Sequence, residues 1–222
     1  MTTQQAALFN FETPTMPEID TSRCYASEIN YQTAASMVET FHYAHRVPSI
    51  VMAIGMYVDD TLAGCITYGI PPAPNTQRCC GEEYRKNALE LNRLYIHDWA
   101  GRNSESWLIG QSFAMIDIKK YFVLVSYADS ECGHYGGIYR ATNWIYTGLT
   151  KSHNDVKMKG NKHPRTTQHN GGSLSVLENG GSVVTRSRKY RYVYFLGDKR
   201  QRRKLRASLK WPVLPYPKGG PQ

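Results

Sequence analysis

Apolar residues along this chain recur in two rhythms, one of period two and one of period near 3.6, and the switches between them mark out the elements. From Asn30 to Tyr43 the helical rhythm places Ala34, Ala35, Met37, Val38 and Phe41 on an inward face. Ser49–Val58 and Thr61–Gly69 read as two strands joined by an Asp59-Asp60 hairpin turn, with Pro71-Pro72 ending the second. Pro74 to Arg85 is polar and reads as a loop or short helix, and Leu89–Ile96 as a half-buried strand. Asn103 or Ser104 is placed to cap a helix over Trp107–Lys120. Tyr121–Val125 is an apolar, β-branched run that predicts a buried strand ending in Ser126-Tyr127-Ala128-Asp129. Gly133, Gly136 and Gly137 then predict a tight turn. A helix from about Ile138 follows, putting Tyr139, Asn143 and Tyr146 on one face at i, i+4 and i+7. Tyr190–Phe195 is the last strand, and Asp198 caps a helix over 198–210 that Trp211-Pro212 stops. This order predicts a mixed α/β sheet with helices on its faces, one domain over 1–222.

Two stretches lack either rhythm. Residues 1–24 are polar, with Pro14 and Pro17, and predict a loosely held arm. Residues 151–189 are polar, basic and Gly-rich, with one weak strand signal at Leu174–Leu177, and predict a long functional or mobile loop. No run of 18 apolar residues occurs in the sequence and the N-terminus lacks a basic, then apolar, pattern, so neither a membrane span nor a signal peptide is expected. Five cysteines, an odd number without framework spacing, fit a reducing cytoplasmic setting.

Charge adds a partner. A net charge of +9 and a pI near 9.3 point to a polyanion, though basicity alone does not separate RNA, DNA and an anionic surface. The 198–210 helix concentrates the charge in Lys199, Arg200, Arg202, Arg203 and Arg206. Positive charge on its first turn opposes the helix dipole, and a phosphate partner would compensate; a solvated surface helix is the plainer reading.

The candidate chemistry gathers at strand ends. Asp129 stands where a strand leaves the sheet, the edge at which open α/β sheets bind ligands, or it caps the Gly133 turn. Arg93 projects from mid-strand, to a substrate or to an anion such as Asp129 or Glu90. His42 and His45, at i and i+3, are a candidate metal pair with Asp129 as third ligand, iron being the metal in view; the competing reading is a structural His42 and a solvated His45. Cys79-Cys80 lacks C-x-x-C spacing and reads as incidental, and His153, His163 and His169 as polar loop residues. Ile70-Pro71-Pro72-Ala73 is not a methyltransferase motif. Zinc-deaminase, hydrolase and P-loop signatures are absent from the sequence.

The element order, with Leu91-Asn92-Arg93-Leu94 central and Gly133-x-x-Gly136-x-x-Tyr139 later, resembles the GNAT acyltransferase fold. Further motifs resemble the Mom proteins of Mu-like phages over roughly residues 30–217. They are the run Phe41 to Pro48, Gly64-Cys65-Ile66-Thr67-Tyr68-Gly69, Leu89 to Leu94, Ser126 to Asp129, Gly133-His134-Tyr135-Gly136, Tyr139 to Trp144 and Phe195 to Pro217. That resemblance implies an enzyme of the infected host's cytoplasm. It would add an acetamido (carbamoylmethyl) group to adenine N6 of double-stranded phage DNA and so protect it from restriction. It places function on Arg93, Asp129 and Tyr139, with Ser126 and Tyr43 in support. The fold implies acetyl-CoA or a related donor. Asn103, Ser104, Gly133, Gly136 and Asn143 are the candidate cofactor contacts. The GNAT pyrophosphate motif is not matched by His97-Asp98-Trp99-Ala100-Gly101-Arg102-Asn103-Ser104, although a helix N-terminus there can hold phosphate. Two other functions stand beside this one: a basic DNA-binding protein without chemistry, and an acyltransferase acting on protein or a small molecule. The oligomeric state is open, a homodimer being one alternative.

Overall fold

The computed structural model describes residues 16–152, 154–157 and 180–218. Seven strands form one sheet in the order β1-β2-β3-β4-β5-β9-β6. They are β1 (Cys24–Glu28), β2 (Met52–Val58), β3 (Thr61–Gly69), β4 (Ala88–Ile96), β5 (Val123–Asp129), β6 (Ile145–Leu149) and β9 (Lys189–Phe195). Neighbours run antiparallel except β4 and β5, so the sheet is mixed as expected. Among the described residues the α-helices are α1 (Tyr31–Phe41), α2 (Pro74–Gln77), α3 (Ser104–Met115), α4 (Gly137–Ala141) and α5 (Lys199–Ser208).

The sheet has two covered faces. Leu89, Leu91, Leu124, Ile66 and Tyr68 pack with Leu108 and Ile109 of α3 and Tyr139 of α4. On the other face Met37 and Val38 of α1 meet Cys65, while Leu205 of α5 meets Val125, Val193, Cys79 and Cys80. Burying these side chains at roughly 25 cal/mol per Å² is what holds α1, α3, α4 and α5 to the sheet. Cys79 and Cys80 are buried free thiols.

A one-residue irregularity controls which face β4 serves. Thr67 pairs with Arg93 but the next residue, Tyr68, pairs with Leu91, so Asn92 is an extra residue on β4. A β-bulge of this kind breaks the two-residue alternation. Leu89 and Leu91 look to the α3 face, and so do Leu94 and Ile96; Arg93 and Tyr95 are sent to the α1 face. Asn92 is fixed by accepting from Thr67 Oγ1 at 2.6 Å and donating to the Ser49 carbonyl at 3.0 Å.

Several expectations need correction. Residues 16–24 do not hang free: Arg102 N–H donates to the Pro17 carbonyl at 2.7 Å, Ile19 N–H to the Arg102 carbonyl at 3.0 Å, and Cys24 opens β1, a strand the sequence reading missed. Phe41 is 45% exposed because α1 ends there. Its ring stacks on Tyr95 instead of entering the core. β5 starts at Val123, two residues later than the apolar run suggested, and ends at Asp129 as expected. The helix after the glycine turn is five residues, and Asn143 (φ 60°) ends it. Tyr146 therefore lies on β6 opposite Tyr192, and the one-face arrangement of Tyr139, Asn143 and Tyr146 does not exist. Within 151–189, β7 (Asn154–Lys157) and β8 (Ser182–Thr185) pair as a two-stranded ribbon. Leu174–Leu177 and His153, His163 and His169 lie outside the described residues. The hairpin at Asp59-Asp60 (φ 46° and 63°) and the α5 cap, Asp198 accepting from Gln201 N–H at 2.7 Å, are as expected.

Candidate active site where β4 and β5 part

β4 and β5 pair only from Ala88–Leu91 and Val123–Ser126. Beyond that, β4 stays with β3 and β5 with β9, leaving a gap at their carboxyl ends. Ser126 closes the last paired step, donating from Oγ to the Leu91 carbonyl at 2.8 Å. Its hydrogen is thereby used, so Tyr139 is the donor in the 2.7 Å contact between its hydroxyl and Ser126 Oγ. Tyr139 is buried between Trp144 and Tyr192 (ring centroids 5.2 and 4.8 Å), and burial pushes its phenol up to about 12. Gly136 (φ 80°) makes this packing possible, since a Cβ there would run into the Tyr192 ring.

The other face of the gap carries the charges. Asp129, three residues after Ser126 on β5, looks the opposite way, to the side of α1 and α5 that Arg93 also faces. One carboxylate oxygen of Asp129 caps Glu131 N–H at 3.1 Å; the other accepts from Ser187 Oγ at 3.0 Å and lies 3.4 Å from Lys189 Nζ. Arg93 donates to the Arg46 carbonyl from Nε at 3.2 Å and to the Asn92 carbonyl from Nη1 at 2.6 Å. Tyr43, 51% exposed, overhangs the same side with its ring against His134 (5.4 Å, edge to face). Partial burial and then the Asp129 carboxylate push its phenol up. Arg93, Asp129, Tyr43, Ser126 and Tyr139 are thus brought to one gap, from two sides of the sheet.

The remaining candidates do not join them. Asn103 (φ 74°) makes no side-chain cap on α3 and donates to Glu18 Oε1 at 3.0 Å. Ser104 is buried, its hydroxyl given to the Ala100 and Gly101 carbonyls at 3.0 and 2.7 Å. Asn143 is exposed at the end of α4, and Gly133 (φ 69°) turns the exposed loop. His42 Nδ1 accepts from Ala44 N–H at 3.1 Å, whereas His45 Nδ1 is on the Glu39 carbonyl at 2.9 Å. Among the described residues no three His, Cys, Asp or Glu side chains are placed to hold a metal ion, so the iron pair is not supported. Lys199, Arg200, Arg202, Arg203 and Arg206 are exposed on α5, on the same side of the sheet as Arg93 and Asp129. Two participants were missed: Lys189, the partner of Asp129, sat in a stretch read as loop, and His134 in a turn read only for its glycines.

Fold and site define an α/β protein with a charged gap in its central sheet. Residues 23–218 match the Mom protein family, and the chain belongs to it. It is 32% identical over 197 residues to the methylcarbamoylase Mom of Escherichia phage Mu, covering 83% of this chain and 80% of that one. Similar solved structures include an N-acetyltransferase from Staphylococcus aureus Mu50, with TM-score 0.47 and 13% identity over 78% of this chain and 99% of that one. A GNAT family acetyltransferase from Elizabethkingia anophelis with acetyl-CoA bound is also similar, with TM-score 0.46 and 9% identity over 78% and 99%. No helix of the described residues is long and apolar enough to cross a membrane.

Proposed function

We propose that this chain is a transferase that adds an acetamido-type group to adenine N6 in phage DNA inside the infected cell, working as one domain. The observation that carries the reading is the convergence of Asp129, Arg93 and Tyr43 at the sheet gap, on the side that also displays α5, in a chain of net charge +9 related to a methylcarbamoylase. Adenine N6 is a weak nucleophile because its lone pair is delocalised into the ring, and in a duplex it is buried by pairing. The base must be flipped out, at a cost of a few kcal/mol. Tyr43 has the exposed ring face to receive it; Tyr139 and Tyr146 are enclosed.

The balance of the step is simple. N6 forms a bond to the methylene carbon of the incoming group, that carbon releases its leaving group with the bonding pair, and the N6 proton passes to Asp129. Arg93 offsets charge on the transferred carbonyl oxygen. Tyr139 and Ser126 hold the edge of the gap, and a proton given by Tyr139 to the leaving group requires its present bond to Ser126 to break. The donor this step needs carries its leaving group on the methylene carbon next to a carboxamide; a coenzyme A thioester would instead join N6 to its carbonyl carbon and release the thiol, which is plain acyl transfer. Restriction resistance follows if the adduct blocks the groove contacts by which a nuclease reads adenine N6.

Mass spectrometry of nucleosides from cells expressing the chain tests the reading. A carbamoylmethyl mass on deoxyadenosine supports it, and an acetyl mass assigns plain acyl transfer. DNA binding with unmodified adenosine overturns the enzyme reading and leaves a DNA-binding protein.

A further inference from the structure

We propose that His42 is a hydrogen-bond donor of this site, presenting Nε2–H to the carbonyl oxygen of the group being transferred. The assignment rests on the transferase reading above and adds a residue with no role in it so far. His42 follows α1 directly, its backbone N–H donating to the Val38 carbonyl at 3.2 Å, and only 6% of the residue is exposed. The Ala44 N–H points at Nδ1 from 3.1 Å, so Nδ1 is an acceptor and the ring hydrogen belongs on Nε2. Among the described residues that Nε2–H has no hydrogen-bond partner. Nor is it sealed in: the indole nitrogen of Trp144 is enclosed without a partner, and Nε2 of His42 is not among such atoms. The Nε2–H is thus a donor that water or a ligand can reach, on a ring set against that of Tyr43.

The surroundings say what fits. The ring lies 4.3 Å from that of Tyr43, the proposed base platform. Burial first, and then the fields of Arg93, His134, His45 and Lys189, hold the imidazole neutral, its pKa lowered to about 4. A cationic imidazole would favour a phosphate. A neutral N–H beside a guanidinium suits an oxygen that carries partial negative charge, as a carbonyl does. The two donors approach from different elements, Arg93 from β4 after its bulge and His42 from the end of α1.

Two substitutions separate this role from a structural one. Asparagine places an acceptor near Nδ1 and can keep the Ala44 contact while removing the Nε2 donor; glutamine places an N–H near Nε2 and gives up the Ala44 contact. His42→Asn should melt near wild type and bind DNA normally but modify adenine about 10²–10³-fold more slowly, the usual cost of one such donor. His42→Gln should melt lower yet modify faster than His42→Asn. The reverse order overturns the proposal, as does wild-type activity in His42→Asn. The imidazole is also read without turnover: the Nε2–H resonance should shift when acetyl-CoA or N6-carbamoylmethyladenosine is added to the wild-type protein. No shift with either overturns the proposal. Should the wild-type chain leave adenosine unmodified, the transferase reading falls, and this resonance alone decides whether His42 binds a carbonyl.

Discussion

Tyr139 gives its phenol proton to Ser126, 2.7 Å away, because Ser126 has already given its own to the Leu91 carbonyl at 2.8 Å. The direction of this chain makes the two residues unequal. Ser126→Ala leaves a buried phenol with no acceptor, a loss of about 1–3 kcal/mol. Tyr139→Phe leaves Ser126 bonded to Leu91 and should cost less. Chemical denaturation should therefore rank Ser126→Ala below Tyr139→Phe in stability, and equal losses would mean that the proton points the other way.

Asp129 is held by Ser187, Glu131 N–H and Lys189. Asp129→Asn keeps shape and most of these bonds while removing the base. Fold and DNA affinity should persist, and adenine modification should fall by about 10²–10⁴-fold, the range for a general base. Nucleoside mass spectrometry with a melting curve on the same preparation reads both. Activity near wild type would take the proton acceptor elsewhere.

The α5 arginines are exposed, and Asp198 alone caps their helix from the acidic side. Replacing Arg202, Arg203 and Arg206 together by alanine should flatten the plot of log affinity against log salt by roughly 2–3 units of slope, all DNA sequences being weakened alike. Leu205, which anchors the helix, stays in place. An unchanged slope would remove α5 from the interface.

His42 also ties stability to pH. Its pKa is about 4 in the folded chain, through burial and the positive groups Arg93, His134, His45 and Lys189, against an ordinary value of 6.5. The unfolded chain binds this proton first as pH drops, so the stabilisation is complete above about 6.5 and disappears as pH falls toward 4, by up to about 3 kcal/mol. Unfolding free energies measured across this window should fall for the wild type and fall less for His42→Asn. Parallel profiles would show the histidine to be solvated.

Much of the scaffold was legible because strong periodicity and capping chemistry survive tertiary packing: the Asp59-Asp60 hairpin and α5 with its Asp198 cap formed as read, and α1 formed two residues shorter at its end. The helix read from about Ile138 forms but stops at Ala141, because pairing of Ile145 and Tyr146 with β9 outweighs local helical spacing. β7 and β8 escaped notice because a ribbon so exposed carries almost no apolar alternation. The site residues were readable by type and by strand end, but not by side. That Asp129 faces away from Tyr139 follows from counting along β5, and the count needed the true strand ends. Leu89–Ile96 reads as a clean alternation and is not one: its leucines and isoleucine fall at 89, 91, 94 and 96 and skip a beat at Asn92, where the bulge lies.

That skipped beat makes strand register, not side-chain chemistry, the variable to which the guanidinium is most sensitive. Removing Asn92 would restore strict alternation with Arg93 still opposite Thr67 and its side unchanged. Flattening the bulge with Asn92 kept would exchange the sides of everything after it. Arg93 would then point into the apolar layer under α3, and Leu94 would take its place in the charged gap. A relative whose β4 is shorter by one residue at this place keeps its cation on the same side, whereas one that keeps the residue and loses the bulge would have to present its cation from another strand, or do without one.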